Sequence, residues 1–154
     1  MGSTLSPGTG ATQGRRCGLI DHGGTVQRPA LEVGLDTSAA PQRLWEVLID
    51  THQWPVWGPS VREVVSADRY IGAGSTGWVV VIGVGVRVGF RITAFEPGRR
   101  WCWSVARLPA TGHRVDPLPG GGGRVVFELP RWAFAYTPVC RAACRRIVRM
   151  AQEE

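Results

Sequence analysis

Three kinds of hydrophobic spacing run along this chain in order. Leu31, Val33 and Leu35 alternate with Glu32, Gly34 and Asp36, the two-residue period of a strand with one buried face. Asp36, Thr37 and Ser38 are capping types and Pro41 suits a first helical turn, so PQRLWEVLID is expected to be a short helix with Leu44, Trp45, Val47 and Leu48 on one side. A succession of strand patterns follows, without helical stretches between them. These are Val61 to Ala67, TGWVVVIG, VRVGFRITAFE, WCWSVA, ATGHRVDP and RVVFELP, separated by glycine- and proline-marked turns. Strands in direct succession imply an antiparallel sheet. In the last segment Tyr136, Cys140, Ala143, Ile147 and Met150 recur at steps of three and four, opposite an Arg141, Arg145 and Arg149 stripe, which is the pattern of one long amphipathic helix.

Between the first helix and the strands stands WPVWGPSV, residues 54 to 61. Pro55 and Pro59 remove backbone donors and restrict their neighbours, so this stretch is expected to be a bend without regular structure. A bend that carries Trp54 and Trp57 either plugs a core or roofs a cavity. The glycine run 120 to 123 precedes a strand and not a helix N-terminus, so it is expected to be a flexible hairpin and not a phosphate loop.

At 154 residues, with 44% hydrophobic and 19% charged residues, the chain has the composition of one globular domain. Residues 1 to 29 are rich in Gly, Ser, Thr and Pro and lack a period. They are expected to be a disordered leader whose removal leaves the melting temperature unchanged, with the domain spanning 30 to 154. No run approaches the roughly 18 apolar residues of a transmembrane helix, and no secretory signal is visible, which gives the expectation of a cytoplasmic protein. All 18 basic residues are arginine and the net charge is +6, but the arginines are dispersed and no nucleic-acid recognition motif is present, so no specific nucleic-acid partner is expected. Cys17, Cys102, Cys140 and Cys144 have no zinc spacing, so no metal is expected, and all four are read as small hydrophobes in a reducing compartment.

One strand, a helical corner, about six strands and a terminal helix is the order of the helix-grip arrangement, an α+β fold in which a curved antiparallel sheet wraps a long C-terminal helix. The stretches AAPQRLWEVLIDTHQWPVWGPSV, GAGSTG, ITAFEPGRRWCWSV and the glycine-marked hairpin before RVVFELP resemble the polyketide cyclase/dehydrase family of the START-like (SRPBCC) superfamily, over about residues 30 to 152. The resemblance implies an apolar cavity between sheet and helix that holds a lipid or polyketide-like ligand, with no cofactor. It places Trp57 at the lid or wall of that cavity, or alternatively in corner packing, and Trp54 as a pin between corner and sheet.

The residues expected to face that cavity are Trp57, Trp78, Phe90, Trp101, Trp103, His113 and Phe127, with Tyr136 from the helix. Such an aromatic set either lines a space for a flat ligand or fills the sheet's curvature. His113 alternates with Arg114 and so is expected to turn inward, where an imidazole is either a proton-transfer group or a hydrogen-bonded structural one. Tyr136 is the other candidate acid or base. Asp116 falls on the opposite face and gives His113 no relay. No GxSxG elbow, P-loop or HExxH is present. The sequence thus favours non-covalent binding of a hydrophobic small molecule. A cyclase or dehydratase working by proton transfer in the same cavity is the alternative, and a regulatory protein with a vestigial cavity is a third class.

Overall fold

The structure is a computed structural model, and it describes residues 31–153. The expectation for the leader therefore lies outside the described residues. Seven antiparallel strands form one sheet in the order β1-β7-β6-β5-β4-β3-β2. They are β1 (Leu31–Thr37), β2 (Val61–Ser66), β3 (Thr76–Val81), β4 (Arg87–Glu96), β5 (Arg100–Val105), β6 (Leu108–Pro117) and β7 (Gly123–Leu129). Only β1 leaves sequence order, crossing over the helical corner to pair with β7 along its whole length, from Leu31 opposite Leu129 to Thr37 opposite Gly123. The helices are α1 (Pro41–Ile49), α2 (Trp54–Trp57) and α3 (Thr137–Gln152), the last preceded by a 3-10 stretch, Arg131–Tyr136. The helix-grip architecture expected from the sequence is the one observed.

The long helix α3 turns Cys140, Ala143, Cys144, Ile147 and Ala151 into the core, a face made mainly of small side chains. Small residues let the helix lie close to the sheet, where the Cys144 thiol reaches the Val33 carbonyl at 3.7 Å and Gln152 Nε2 donates to Thr37 Oγ1 at 3.0 Å. Cys140 and Cys144 are buried free thiols. Cys102, on β5, is not a free thiol, so the expectation of four reduced cysteines fails at that position.

The WPVWGPSV corner departs from its expected irregularity. Residues 54 to 57 close one helical turn, with the Gly58 N–H donating to the Trp54 carbonyl at 2.8 Å. Pro55 fits because it occupies the first turn, where no intrahelical donor is needed. The two tryptophans then cap the preceding helix. Trp57 Nε1 donates to the Val47 carbonyl at 3.2 Å and Trp54 Nε1 to the Leu48 carbonyl at 2.9 Å, while the Ile71 N–H donates to the Ile49 carbonyl at 3.0 Å. Three carbonyls orphaned at the end of α1 are thereby satisfied inside the core.

The 120 to 123 run is more constrained than a flexible hairpin. Gly120 and Gly121 have φ of +96° and +102°, and a Cβ on Gly122 would meet the Thr37 carbonyl oxygen at 2.3 Å. The close approach of this turn to the β1–α1 junction is what requires glycine there.

On the outer face of the sheet, Glu128 is buried between Arg100 and Arg114, and Arg114 also reaches Glu32 at 3.0 Å and Asp116 at 3.0 Å. This network holds β5, β6, β7 and β1 together from the face opposite α3. It also explains Asp116, whose partner is Arg114 and not His113.

Candidate functional site

Between the inner face of the sheet, the corner and α3 lies a cavity of about 480 Å³. Its buried lining comes from Trp54, Trp57, Val79, His113, Phe127, Cys140 and Ala143. Partly exposed residues complete it at one end, among them Ser60, Val81, Val105, Ala110, Ala133 and Tyr136. That end is the mouth. The space exists because α3 presents Val139, Cys140 and Ala143 above a sheet whose aromatic side chains are concentrated on β4 and β5.

The aromatic residues divide into packing and lining groups. Trp54 stacks on Trp101 with ring centroids 5.4 Å apart and planes at 7°, and Phe90 contacts Trp54 at 5.3 Å. Trp101 is fully buried, and neither it nor Phe90 borders the cavity. Trp101 and Phe90 fill the sheet's curvature, and Trp54 packs on them while also bordering the cavity. Trp57, Trp103 and Phe127 do border the cavity, Trp57 meeting Phe127 edge-on at 5.8 Å. Both alternatives for the aromatic set are therefore realised, in different residues.

Trp78 corrects the expected inward orientation, since its side chain is 53% exposed on the outer face. The pairing supplies the reason. Gly77 lies opposite Phe90, and a Cβ on Gly77 would approach the Phe90 ring to 2.7 Å. Gly77 therefore takes the inward position beside Phe90, and alternation sends Trp78 out.

His113 is 1% exposed, inward-facing, and stacked on Trp101 with centroids 3.8 Å apart. Its Nε2 lies 3.2 Å from Thr111 Oγ1, which accepts the Trp103 Nε1–H at 3.1 Å. The Thr111 hydroxyl thus links the Trp103 indole and the His113 imidazole in one chain of contacts. Nδ1 makes no hydrogen bond. Burial drives the His113 pKa down from 6.5 to about 3, an interaction with the Trp101 backbone opposing only part of that shift. The ring is neutral at physiological pH.

Tyr136 sits at the mouth, just before α3 and not on it, with its hydroxyl in a short hydrogen bond to Ser60. Burial raises its pKa, with the Ser60 bond opposing. Tyr136 and His113 thus belong to separate hydrogen-bonded pairs. Cys140, in the wall, has its thiol pushed up to about 12 by burial and is not a thiolate nucleophile. Among the described residues no group of His, Cys, Asp and Glu could hold a metal. Among the described residues no Asp, Glu or Arg borders the cavity.

Sequence reasoning missed Thr111, Ser60 and the 3-10 stretch that carries Trp132. The stretch RWAFAY has no period, but its position between Pro130 and Pro138 with two further aromatics was a usable signal.

The fold is the helix-grip fold, with a cavity between sheet and helix. The family model described as polyketide cyclase/dehydrase and lipid transport matches residues 30–153, so the chain belongs to that family. Among solved structures, it is similar to the Zhui aromatase/cyclase from Streptomyces sp. R1128, with TM-score 0.60 and 14% identity over 79% of this chain and 92% of the other. A hypothetical protein from Helicobacter pylori superposes with TM-score 0.63 at 12% identity, covering 79% of this chain and 86% of its own. A protein from Deinococcus radiodurans gives TM-score 0.57 at 22% identity, over 77% and 92% of the two chains. These likenesses show the shared fold. Comparison with curated proteins gives no match.

Proposed function

We propose that this protein binds an uncharged, hydrophobic small molecule, lipid or polyketide-like, in the cavity beneath α3. What supports the reading is the lining itself: about 480 Å³ bounded mainly by aromatic and aliphatic side chains, with no formally charged side chain among the described residues. That volume lies within the range of small-molecule pockets, about 300–1,000 Å³. Ligand polarity is met at two points, the Thr111–His113 pair inside and the Ser60–Tyr136 pair at the mouth. Both pairs consist of neutral groups able to meet a carbonyl or hydroxyl. A buried carboxylate would find no cation among the described residues there, and desolvating an unpaired charge is costly.

A cyclase or dehydratase reading would ask His113 or Tyr136 to move a proton. An imidazole with a pKa of about 3 is a weak base at neutral pH and carries no proton to donate from the imidazolium form. Non-covalent binding is the reading this chemistry favours.

The test is a titration of tryptophan emission with a neutral polycyclic probe and, in parallel, with a fatty acid at pH 7.5. The neutral probe should quench the cavity tryptophans and saturate, and the carboxylate should bind at least tenfold more weakly. Equal or tighter binding of the carboxylate would contradict a neutral-ligand site.

A further inference from the structure

The register of the strands brings four connections to one end of the molecule. Val61 at the start of β2 pairs with Val81 at the end of β3, and Phe90 near the start of β4 pairs with Val105 at the end of β5. Glu128 at the end of β7 pairs with Gly112 on β6, so the 3-10 stretch leaves the sheet at the same end. This is the end at which the cavity opens.

The connections around that opening expose an unusual number of large apolar side chains. Ile82, Val84 and Val86 of the β3–β4 hairpin are 55%, 68% and 54% exposed. Leu108, beginning β6, is 62% exposed, and Trp132 and Phe134 of the 3-10 stretch are 63% and 69% exposed. Large apolar side chains exposed together at one end of a fold mark an interaction surface.

The connections themselves carry only positive charge, with Glu63 following Arg62 on β2. Arg62, Arg87, Arg107 and Arg131 are exposed in or beside these same connections, and none makes an ion pair among the described residues, whereas Arg100, Arg114 and Arg124 on the sheet all do. No Asp or Glu occurs in residues 56 to 62, 82 to 87, 105 to 108 or 130 to 136.

We infer that this end docks on an anionic lipid bilayer, with Trp132, Phe134 and the Ile82–Val86 hairpin entering the headgroup boundary and the four arginines lying against lipid phosphates. Tryptophan and phenylalanine at an interface, rimmed by arginine, match the polarity gradient of a bilayer surface. Each arginine near an anionic surface adds roughly fivefold to partitioning. Docking there would set the cavity mouth against the membrane. The inference concerns the surface around the mouth and does not depend on the cavity being loaded.

Co-sedimentation of the full chain with vesicles tests it. Phosphatidylcholine vesicles containing about one-third phosphatidylglycerol should bind the protein at least tenfold more than phosphatidylcholine alone, and salt should weaken the binding. The double substitution Trp132→Ser with Phe134→Ser should lower partitioning at least tenfold on the anionic vesicles. Arg87→Gln with Arg131→Gln should reduce the anionic preference. All four side chains are exposed, and circular dichroism of each variant checks the fold. Absence of binding to either vesicle would overturn the inference. So would binding unchanged in the aromatic double variant, which would reduce the effect to bulk charge, or a homodimer in sedimentation that the aromatic double variant abolishes. Probe binding in the cavity is read separately and stands or falls alone.

Discussion

His113 is the residue whose environment is most altered from that of a free side chain, and the alteration has a signed consequence. Its folded pKa of about 3 lies below the unfolded value near 6.5. Between those values the unfolded chain binds the proton and the folded chain does not, so stability falls as pH falls through that window, by up to about 1.4 kcal/mol per pH unit. Above pH 6.5 the group contributes no slope. Denaturant midpoints measured from pH 7.5 to 5 should therefore drop in the wild type and flatten in His113→Gln, whose side chain does not titrate. An unchanged slope in that variant would place the acid sensitivity elsewhere. Trp57 separates packing from hydrogen bonding. Trp57→Phe keeps an aromatic wall but leaves the Val47 carbonyl unpaired, so it should cost about 1–3 kcal/mol in urea unfolding while probe affinity changes by less than a few fold. A full collapse of probe binding with little loss of stability would make Trp57 a ligand contact first and a helix cap second.

One turn holds two residues against their preference, and one glycine holds a register. The β5–β6 connection puts Ala106 and Arg107 at φ of +52° and +65°, conformations that L side chains adopt at a cost of about 1–2 kcal/mol each. Arg107→Gly should accordingly raise stability by about 1 kcal/mol, read as a rise in the thermal midpoint. The opposite sign is expected at Gly77. Gly77→Ala brings a methyl to 2.3 Å from the Val65 carbonyl oxygen and against Phe90, and should destabilise strongly by forcing β3 and β4 apart. The same residue shows where the sequence was legible and where it was not. Strand β1, and β4 as far as Ile92, read correctly because their apolar residues alternate with polar ones or glycine. The run TGWVVVIG is apolar on both faces, so no alternation fixes which side Trp78 takes, and the answer came from Phe90 on the neighbouring strand. The corner misled for a different reason: two prolines argue against a long helix but not against a single turn with proline at its start.

Across the whole molecule, the order of elements could be read from periodicity, but the cavity could not, because empty space is a difference between summed side-chain volumes and the shape of the sheet. Trp54, Trp101 and Phe90 fill one part of that shape, and the small residues Cys140 and Ala143 leave another open. The central claim is that this opening is a binding site and not a packing defect. Ala143→Phe tests it most directly, since Ala143 is 2% exposed and borders the cavity from α3. A phenyl ring projected into a real cavity finds room, so thermal melting should change by only a few degrees. Affinity for the neutral polycyclic probe should fall at least tenfold. A large loss of stability, of the about 1–3 kcal/mol that overpacking a closed core costs, with probe affinity retained in the folded fraction, would contradict the account.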